Sequence, residues 1–420
     1  MDANATTPLL PEVFEAMRPF FLEHYGNASS IHQQGQQARG AVEQARSAVA
    51  RFLHCLNSEI VFTSGGTESD NLALFGVLSP EHTTEAAHLI TTTIEHHAVL
   101  HAAEALATRG IEVTFLPCTP QGLIEPSTLQ AAIRPNTKLV SVMLANNETG
   151  VIQPIAELAA IAHAAGALFH TDAVQAGGKL PIDLSPKGPL RDVDLLTLSG
   201  HKIYAPKGIG ILFVRRNVRL SPMHHGGTHE RQRRAGTENV TGIVALGKAA
   251  ELANAWLAES TTNPGAPSFA PFAKGGVSRE SATALLQPAE LTALRDRLEQ
   301  GILAQVEDCG VNGAGAPRVS NTTNLYFDHV EAEALVIALD LKGLSVSGGS
   351  ACQSGATEPS HVLTAMGLTP ARARASIRFS LSRLTTQEEI DYALTLILAA
   401  IARLRDLSPT WNKPTALASV

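Results

Sequence analysis

The stretch Val193-Asp194-Leu195-Leu196-Thr197-Leu198-Ser199-Gly200-His201-Lys202 joins an apolar run to a polar tetrapeptide that ends in lysine. The apolar part predicts a buried strand, and Ser199 to Lys202 follow at its end. A lysine amine in this position, among short polar residues, could be held uncharged long enough to form a Schiff base with an aldehyde cofactor. Most lysines after strands are solvated, so the tetrapeptide needs support from other parts of the chain.

A second predicted strand ends in an acid, in Phe169-His170-Thr171-Asp172-Ala173-Val174-Gln175. An Asp at the carboxyl end of a strand in an α/β sheet can pair with a protonated pyridine nitrogen, which keeps pyridoxal 5'-phosphate an electron sink. Gln175 lies three residues further on and could donate a hydrogen bond to the ring oxygen. The alternative for Asp172 is the N-cap of a helix.

A phosphate site is predicted where the apolar stretch Ile60-Val61-Phe62 runs into Ser64-Gly65-Gly66-Thr67. The next helix is expected to begin with Thr67-x-x-Asp70, a capping-box pattern, and free amides at a helix start can bind phosphate oxygens. The stretch matches neither of the common nucleotide-binding glycine patterns. Nucleotide binding is therefore not indicated.

Two further candidates are a histidine and a cysteine. His96 follows the apolar strand Leu89 to Thr92, and its imidazole could stack on a pyridine ring and move protons, although a lone histidine is more often a surface or capping residue. Cys352 lies in Ser347-Gly348-Gly349-Ser350-Ala351-Cys352-Gln353-Ser354-Gly355, which lacks a bulky apolar neighbour. Structural cysteines usually sit in hydrophobic sequence, so this one reads as a nucleophile that collects a group and hands it on; a cysteine in an ordinary loop is the alternative.

These motifs together resemble the NifS/IscS class of cysteine desulfurases, over nearly the whole chain. The segments that carry the resemblance are, in order, Asp2 to Pro8, Gly26 to His32, Thr63 to Asn71, Ser199 to Lys202, Arg234 to Thr237, Gly349 to Cys352 and Ile377 to Arg383. The resemblance implies the α/β fold of the fold-type I PLP-dependent transferases. That fold has a mainly parallel sheet with helices on both faces and a smaller α+β C-terminal domain.

The resemblance also implies a role for each candidate residue around the cofactor. Lys202 would hold pyridoxal 5'-phosphate covalently, Asp172 would pair with the pyridinium nitrogen, and Gln175 would hydrogen-bond the ring oxygen. His96, rather than His97, would stack on the ring. The phosphate would be held by backbone amides and polar side chains, namely those of Gly66, Thr67, Ser199, His201 and, from the partner subunit, Thr237.

Two residues would bind the substrate. Asn147 would lie near the ring oxygen and the substrate carboxylate, and Arg378 would grip that carboxylate through a bidentate pair, which a lysine could not reproduce. The implied reaction converts L-cysteine to L-alanine and leaves the sulfur as a persulfide on Cys352, with His96 assisting deprotonation of the thiol. A homodimer would then pass the sulfur to an acceptor protein, such as a scaffold for iron-sulfur cluster assembly.

Three alternatives remain open from the sequence. A selenocysteine lyase and a PLP-dependent aminotransferase share the expected fold, but an aminotransferase has no use for a thiol on a Gly/Ser segment. A non-catalytic assembly subunit would be free to lose the chemical residues, all of which are present.

Composition narrows the class of protein. The 420 residues carry a net charge of -7, without a basic stripe interleaved with aromatic residues, which argues against nucleic acid as a partner. The four cysteines, Cys55, Cys118, Cys309 and Cys352, lack metal-ligand spacing, so we expect no metal and a reducing compartment. The longest apolar stretch, near Ala393 to Ala402, is too short to span a bilayer, and the N-terminus has no leader pattern. A cytoplasmic enzyme without a membrane partner is therefore expected.

The order of apolar runs and turn residues predicts three parts of the chain. Residues 15–257 would form the large PLP-binding domain, with strands near 60–63, 88–92, 111–115, 138–144, 167–170, 193–198 and 209–214. Residues 258–288, rich in Pro, Gly and Ser, read as a surface insertion. Residues 1–14 and 289–420 would form the small domain with the Cys352 segment. Its expected elements are a helix from Leu291 to Gln305, a strand from Thr323 to Phe327, and helices from Ala332 and Gln387.

Overall fold

The structure, a computed structural model, describes residues 1–81, 87–262, 286–348, 358–409 and 411. Its strands, in chain order, are β1 (Ile60–Thr63), β2 (His88–Thr92), β3 (Glu112–Leu116), β4 (Thr137–Ser141), β5 (Leu168–Asp172), β6 (Leu195–Ser199), β7 (Gly210–Val214), β8 (Cys309–Val311), β9 (Thr322–Phe327), β10 (Ser347–Gly348) and β11 (Ser376–Ser380). The α-helices are α1 (Pro11–Met17), α2 (Pro19–Leu22), α3 (Gln33–Phe52), α4 (Gly66–Val77), α5 (His97–Ala107), α6 (Pro126–Ala132), α7 (Ile155–Ala164), α8 (Val240–Thr262), α9 (Pro288–Leu303), α10 (Ala332–Asp340), α11 (His361–Ala365), α12 (Pro370–Arg374) and α13 (Gln387–Leu407).

Strands β1 to β7 form one sheet in the order β1-β7-β6-β5-β4-β2-β3. All neighbouring pairs are parallel except the two that involve β7, so β7 runs against the other six strands. Both faces of this sheet are buried. Successive residues of a strand point to opposite sides of the sheet, so adjacent residues enter different cores. Leu89 and Leu195 pack in the core with α4 and α5, whereas Ile90 and Leu196 pack in the core with α3, α7 and α8. The predicted mainly parallel sheet with helices on both faces is confirmed.

Strands β8 to β11 form a second sheet, antiparallel throughout, in the order β10-β11-β9-β8. Its apolar side chains, among them Phe327 and Phe379, share a separate core with α9, α10 and α13. The helix starts predicted at Ala332 and Gln387 coincide with α10 and α13. The smaller α+β unit of the predicted fold is therefore present.

The N-terminal segment touches both sheets. Asp2 forms a parallel bridge with Ser380, and the Ala3 N–H donates to the carbonyl of Ser380 (3.0 Å). The Thr7 N–H instead donates to the carbonyl of His201 (2.9 Å) on the large-sheet side. The chain thus crosses between the two cores within residues 2 to 7, while the exact domain boundaries remain a prediction. Helix α8 extends to Thr262, past residue 258, and most of the predicted insertion lies outside the described residues.

Candidate active site

A cavity of about 380 Å³ lies at the carboxyl ends of the large-sheet strands, where it meets β10 and β11 of the small sheet. Its wall includes every residue predicted for the site except Thr237 and Cys352, namely Gly66, Thr67, His96, Asn147, Asp172, Gln175, Ser199, His201, Lys202 and Arg378. A larger cavity, of about 680 Å³, lies beside Phe75 and Arg109 and includes none of the predicted residues. The structure therefore brings together in one place side chains that the sequence scatters over more than 300 positions.

Lys202 lies one turn beyond the end of β6, in the 3-10 turn Gly200–Lys202. Its Nζ donates hydrogen bonds to the backbone carbonyls of Asn4 and Ala5, the latter at 2.8 Å. The neighbouring His201 places Nδ1 3.2 Å from Thr6 Oγ1. Burial, followed by the charges of Lys202 and Lys207, lowers the pKa of His201 to about 4, so the imidazole is neutral at physiological pH. The end of β6 thus presents an amine and a neutral imidazole to the cavity.

Three buried acidic side chains interact at the cavity: Asp172 and Asp70 belong to its wall, and Glu95 lies near them, all at most 5% exposed. Burial raises the pKa of each, to about 8 for Glu95 and well above the ordinary value for Asp70. For Asp172 the rise stops at about 6, because the Val174 N–H donates to its Oδ1 (2.8 Å) and Lys202 carries a nearby positive charge. This hydrogen bond and the charge of Lys202 both favour the ionised form of Asp172, the form that a partner for a pyridinium nitrogen must have.

His96 is both the N-cap of α5 and part of the cavity wall. Its Nδ1 accepts the Ala98 N–H (3.2 Å), so the ring proton of the neutral imidazole resides on Nε2. Burial, followed by the charge of Lys202 and of three neighbouring histidines, lowers the pKa of His96 to about 4. The capping role and the cavity position, weighed as alternatives from the sequence, occur together. His97 is not part of the cavity wall and instead contacts the rings of His101 and His361.

The predicted phosphate loop reaches the cavity through the first turn of α4. The helix begins at Gly66, one residue before the predicted cap, so Thr67 already lies inside the first turn and the predicted capping box is wrong. Instead, Glu68 turns back to accept the Ser64 N–H through Oε2 (2.8 Å). A Cβ built on Gly66 would lie 3.0 Å from Val174 Cγ2 and 3.7 Å from Ser199 Cβ. The missing side chain leaves the backbone amides of a twelve-residue helix open to an anion.

Gln175 and Asn147 form the wall on the side of the N-terminal segment. The Gln175 Nε2 donates to the Asn4 carbonyl (3.0 Å), and the Asn4 Nδ2 donates to the Asn147 carbonyl (3.3 Å). The side-chain oxygen Oδ1 of Asn147 is buried and has no hydrogen-bond partner among the described residues. A buried acceptor of this kind indicates a donor supplied from outside the chain.

Arg378 comes from the middle of β11 and is 5% exposed. One guanidinium nitrogen donates to the Asn147 carbonyl (3.0 Å) and another to Asp2 Oδ1 (2.8 Å). Its Nε is buried and lacks a hydrogen-bond partner within the described parts of the chain. An orphaned N–H on a buried, charged guanidinium is a ready donor to a carboxylate.

Of the two remaining predicted residues, one is not in the cavity wall and the other lies outside the described residues. Thr237 is exposed and does not contribute to the cavity wall. Cys352 lies outside the described residues, but both neighbouring parts of the chain are beside the cavity. Ser347 contributes to the wall, Ser360 Oγ donates to Glu148 Oε2 (2.6 Å), and His361 Nε2 donates to the carbonyl of Glu95 (2.9 Å). The segment that carries Cys352 therefore leaves and rejoins the described chain next to the site.

These observations test whether pyridoxal 5'-phosphate fits the residues present. The cavity offers an amine, a buried carboxylate beside that amine, a helix N-terminus without a blocking Cβ, and an unpaired donor on Arg378. Each is a group that the aldehyde, the pyridine nitrogen, the phosphate or an amino-acid carboxylate requires. The residues fit the cofactor.

A family model described as aminotransferase class-V matches residues 1–265 and 287–393. The chain belongs to this family. It is an enzyme of the PLP-dependent class, and its cofactor is pyridoxal 5'-phosphate. The match omits residues 266–286, which fall within the predicted insertion.

The chain is also similar to individual named proteins and solved structures. It is 47% identical to cysteine desulfurase 2 of Trichormus variabilis over 412 residues, which cover 98% of this chain and 95% of the relative. A solved structure described as a NifS-like protein matches with a TM-score of 0.82 and 33% identity, covering 96% of this chain and 98% of the other. Another, described as SspA in complex with cysteine, matches with a TM-score of 0.74 and 35% identity, covering 90% and 97%. No helix in the described part of the chain is long and apolar enough to cross a membrane.

The sequence did not single out four residues that matter at the site. Asp2 and Asn4 lie in a motif that carried the resemblance, but their partners are far away in the sequence. Asp2 contacts Arg378, nearly 400 positions later, and Asn4 contacts Gln175 and Lys202, nearly 200 positions later. Asp70 and Glu95 follow strands, as the predicted ligands do, and a search for acids after strands would have found them.

Proposed function

We propose that the protein is a cysteine desulfurase that converts L-cysteine to L-alanine and holds the released sulfur as a persulfide on Cys352. The observation that carries this proposal is the single cavity in which Lys202, Asp172 and Arg378 meet, with Ser347 leading from its wall into the Cys352 segment. It is supported by relatives that are named cysteine desulfurases and by a related structure described as a complex with cysteine.

The large-sheet residues would hold the cofactor. Lys202 would attach it through Nζ, Asp172 would stay ionised beside its ring nitrogen, and the amides of Gly66 and Thr67 would bind its phosphate, with Ser199 and His201 alongside. When bound, pyridoxal 5'-phosphate supplies an electron sink for the substrate's α-carbon. The substrate amine would displace Lys202 Nζ from the cofactor. The freed Nζ would then carry the substrate's α-proton, because it lies at the site of the reaction.

Arg378 and Asn147 would bind the substrate's α-carboxylate. The Nε of Arg378 is a donor without a hydrogen-bond partner among the described residues. Asn147 lies in the cavity wall and would donate to the carboxylate through Nδ2, because its unpartnered Oδ1 is an acceptor. Their positions are coupled, because Arg378 donates to the Asn147 carbonyl. A carboxylate bound here would compensate the buried guanidinium, whose other anionic contact is Asp2.

His96 would stack on the cofactor ring and present the proton on Nε2. The lowered pKa of His96 argues against the sequence-based expectation that it also removes the thiol proton from Cys352. The pKa of the His96 imidazole is about 4, and that of an ordinary thiol is about 8.5. The equilibrium constant for moving the thiol proton to His96 is therefore unfavourable by roughly four powers of ten. We therefore assign to His96 ring contact and a hydrogen bond donated from Nε2.

Cys352 would be the sulfur acceptor within the chain. Burial raises the pKa of Cys55 to about 12 and also raises the pKa values of Cys118 and Cys309, so none of these three is readily ionised. The Cys352 thiolate would attack the sulfur of the substrate: the S–S bond forms, the C–S bond breaks, and its electron pair stays on carbon. That carbon takes up a proton and leaves as L-alanine, and the sulfur stays on Cys352.

The assembly and the acceptor complete the proposal. Thr237 would reach the phosphate of the partner's site in a homodimer, which agrees with its exposure and its distance from the cavity wall. A cytoplasmic location and an acceptor protein, such as a scaffold for iron-sulfur cluster assembly, are proposed from the sequence. Mixing Thr237→Val with Lys202→Ala subunits should restore activity, because each hybrid has one site with neither change. Heterodimers without activity would contradict the shared site.

The central experiment follows the sulfur. Purified protein with L-cysteine should release alanine, and mass spectrometry after one turnover should place one added sulfur on the peptide that contains Cys352. Cys352→Ser should still bind L-cysteine, seen as a change in visible absorption, but release no alanine above background. The matched control Cys118→Ser should retain activity. Release of a keto acid in place of alanine, or an added sulfur on Cys55, Cys118 or Cys309 with Cys352→Ser active, would refute the proposal.

A further inference from the structure

The feature that carries a further inference is the pair formed by Gln175 and Lys179 after β5. The backbone turns tightly here: the Gly177 N–H donates to the carbonyl of Ala173 (2.8 Å) and the Lys179 N–H to that of Ala176 (2.9 Å). These turns bring two side chains four residues apart onto one side of the backbone. Lys179 Nζ donates to both the backbone carbonyl and the side-chain Oε1 of Gln175, each at 2.9 Å.

This contact, together with the Asn4 carbonyl at the other end of the amide, determines which end of the Gln175 amide faces the cavity. With Oε1 accepting from Lys179, the amide nitrogen Nε2 points toward the cavity wall, where it donates to the Asn4 carbonyl (3.0 Å). The two ends of a glutamine amide have nearly the same shape, so only hydrogen bonds can select between them. A reversed amide would place its NH₂ group against the Lys179 ammonium, donor against donor, and its oxygen against the Asn4 carbonyl.

The surroundings of Lys179 indicate that the fold gains little else from this lysine. The Lys179 side chain borders a narrow cavity of about 10 Å³ behind Lys202, together with Tyr204, Trp256 and Arg383. Burial, followed by the charges of Lys202, Arg383 and Arg378, lowers the pKa of Lys179, and no ion pair within the described residues joins Lys179 to a carboxylate. A partly buried lysine among cations is unfavourable, and its bonds to Gln175 are the compensating contact.

We propose that Lys179 is a positioning residue that fixes the amide of Gln175 with its nitrogen toward the cavity, so that Gln175 donates to the ring oxygen of the cofactor. The inference rests on the proposed function, because it requires pyridoxal 5'-phosphate bound at Lys202. A Gln175 oxygen turned to the cavity would instead face the negatively charged ring oxygen and repel it.

The test is a double-mutant cycle of Lys179→Met and Gln175→Met, read by absorbance. A donor to the ring oxygen stabilises negative charge there and favours the deprotonated form of the bound chromophore. Each single change should therefore raise the pH midpoint of the visible band, by about one to two pH units for a hydrogen bond to a charged oxygen. In the Gln175→Met background, Lys179→Met should add less than about 0.3 pH unit, because its partner is already gone. Lys179→Arg should restore most of the midpoint, and Lys138→Met, at an exposed position on β4, should leave it unchanged.

The possible outcomes separate the inference from the proposed function. Additive shifts from Lys179→Met and Gln175→Met would mean that Lys179 acts through its charge and would overturn the positioning role. A shift with Gln175→Met but none with Lys179→Met would overturn it as well. If the wild type binds no cofactor, the proposed function fails first. Thermal unfolding and retention of cofactor on dialysis, measured for each variant, exclude a simple loss of folding.

Discussion

Arg378→Lys tests the proposed substrate site most directly, because the guanidinium geometry is what a lysine cannot copy. Arg378 already uses one nitrogen for the Asn147 carbonyl and another for Asp2, and its Nε remains for the substrate carboxylate. A lysine at this position keeps the positive charge but presents a single nitrogen. It can replace one of these contacts well, and the hydrogen bond from Nε to the carboxylate is lost.

The size of the effect follows from the number of hydrogen bonds lost. One hydrogen bond between charged groups contributes about 1.5–3 kcal/mol, and about 1.4 kcal/mol corresponds to a factor of ten. Loss of one such bond in the buried site should therefore lower kcat/KM for L-cysteine roughly 10- to 150-fold. Removing the charge as well, with Arg378→Gln, should cost more, because Asp2 then lies beside the site without its buried cation.

The assay compares L-cysteine with cysteamine, which has the same amine and thiol but no carboxylate. Half-saturation of the visible absorption change should rise for L-cysteine in Arg378→Lys and stay within about twofold for cysteamine, since cysteamine makes no contact with the guanidinium. Arg372→Lys is the matched control, because Arg372 pairs with Asp328 on the surface, outside the cavity wall. Equal losses for both compounds would show that the substitution disturbs the site generally, and would refute the assigned role of Arg378.

Three further predictions concern other parts of the molecule. Burial raises the pKa of Glu95 from 4.5 to about 8, so the free energy of unfolding should fall as pH rises from about 4.5 to 8. Glu95→Gln should remove this fall. An equal change in melting temperature between pH 5 and pH 8.5 for the wild type and the variant would contradict it. Glu230 forms a buried bidentate pair with Arg46 (2.8 and 2.9 Å), so Glu230→Ala should destabilise the fold by about 3–5 kcal/mol. The double variant Arg46→Met with Glu230→Leu should recover most of the melting temperature. A double variant no more stable than Glu230→Ala would contradict this explanation. Gly66→Ala should weaken retention of the cofactor on dialysis, since the new Cβ would enter the cavity wall 3.0 Å from Val174; unchanged retention would count against phosphate binding at the start of α4.

Local patterns in the sequence predicted the strands well, because each apolar run ends at polar or glycine residues. β1 and β2 begin and end at the predicted residues. β4 was predicted to reach residue 144 but ends at Ser141, although the Val142 and Leu144 N–H groups still donate to β5. The apolar composition continues there, but β2 on the other side has already ended its pairing with β4 at Val140. Hydrophobicity reports burial, and it does not report where a neighbouring strand stops.

The site was predicted less completely, because some of its contacts join distant segments. A residue after a strand can be recognised from its neighbours, which is how Lys202, Asp172 and His96 were predicted. The pairing of Asp2 with Arg378 spans 376 positions, and no local pattern reports it. The Gln175–Lys179 contact is different, since its spacing of four residues is visible in the sequence, yet only the structure gives the direction of the amide.

Asn4 explains how two cores can form one site of fixed geometry. Its backbone N–H and side chain bond to the small sheet, at Ser380 Oγ (2.9 Å) and Thr322 Oγ1 (2.9 Å). Its carbonyl accepts from Gln175 and Lys202 on the large-sheet side. A single residue thus links the strand that carries Arg378 to the turn that carries Lys202. The distance between the group proposed to hold the substrate carboxylate and the amine proposed to hold the cofactor is therefore set by the N-terminal segment as well as by the packing of the two sheets.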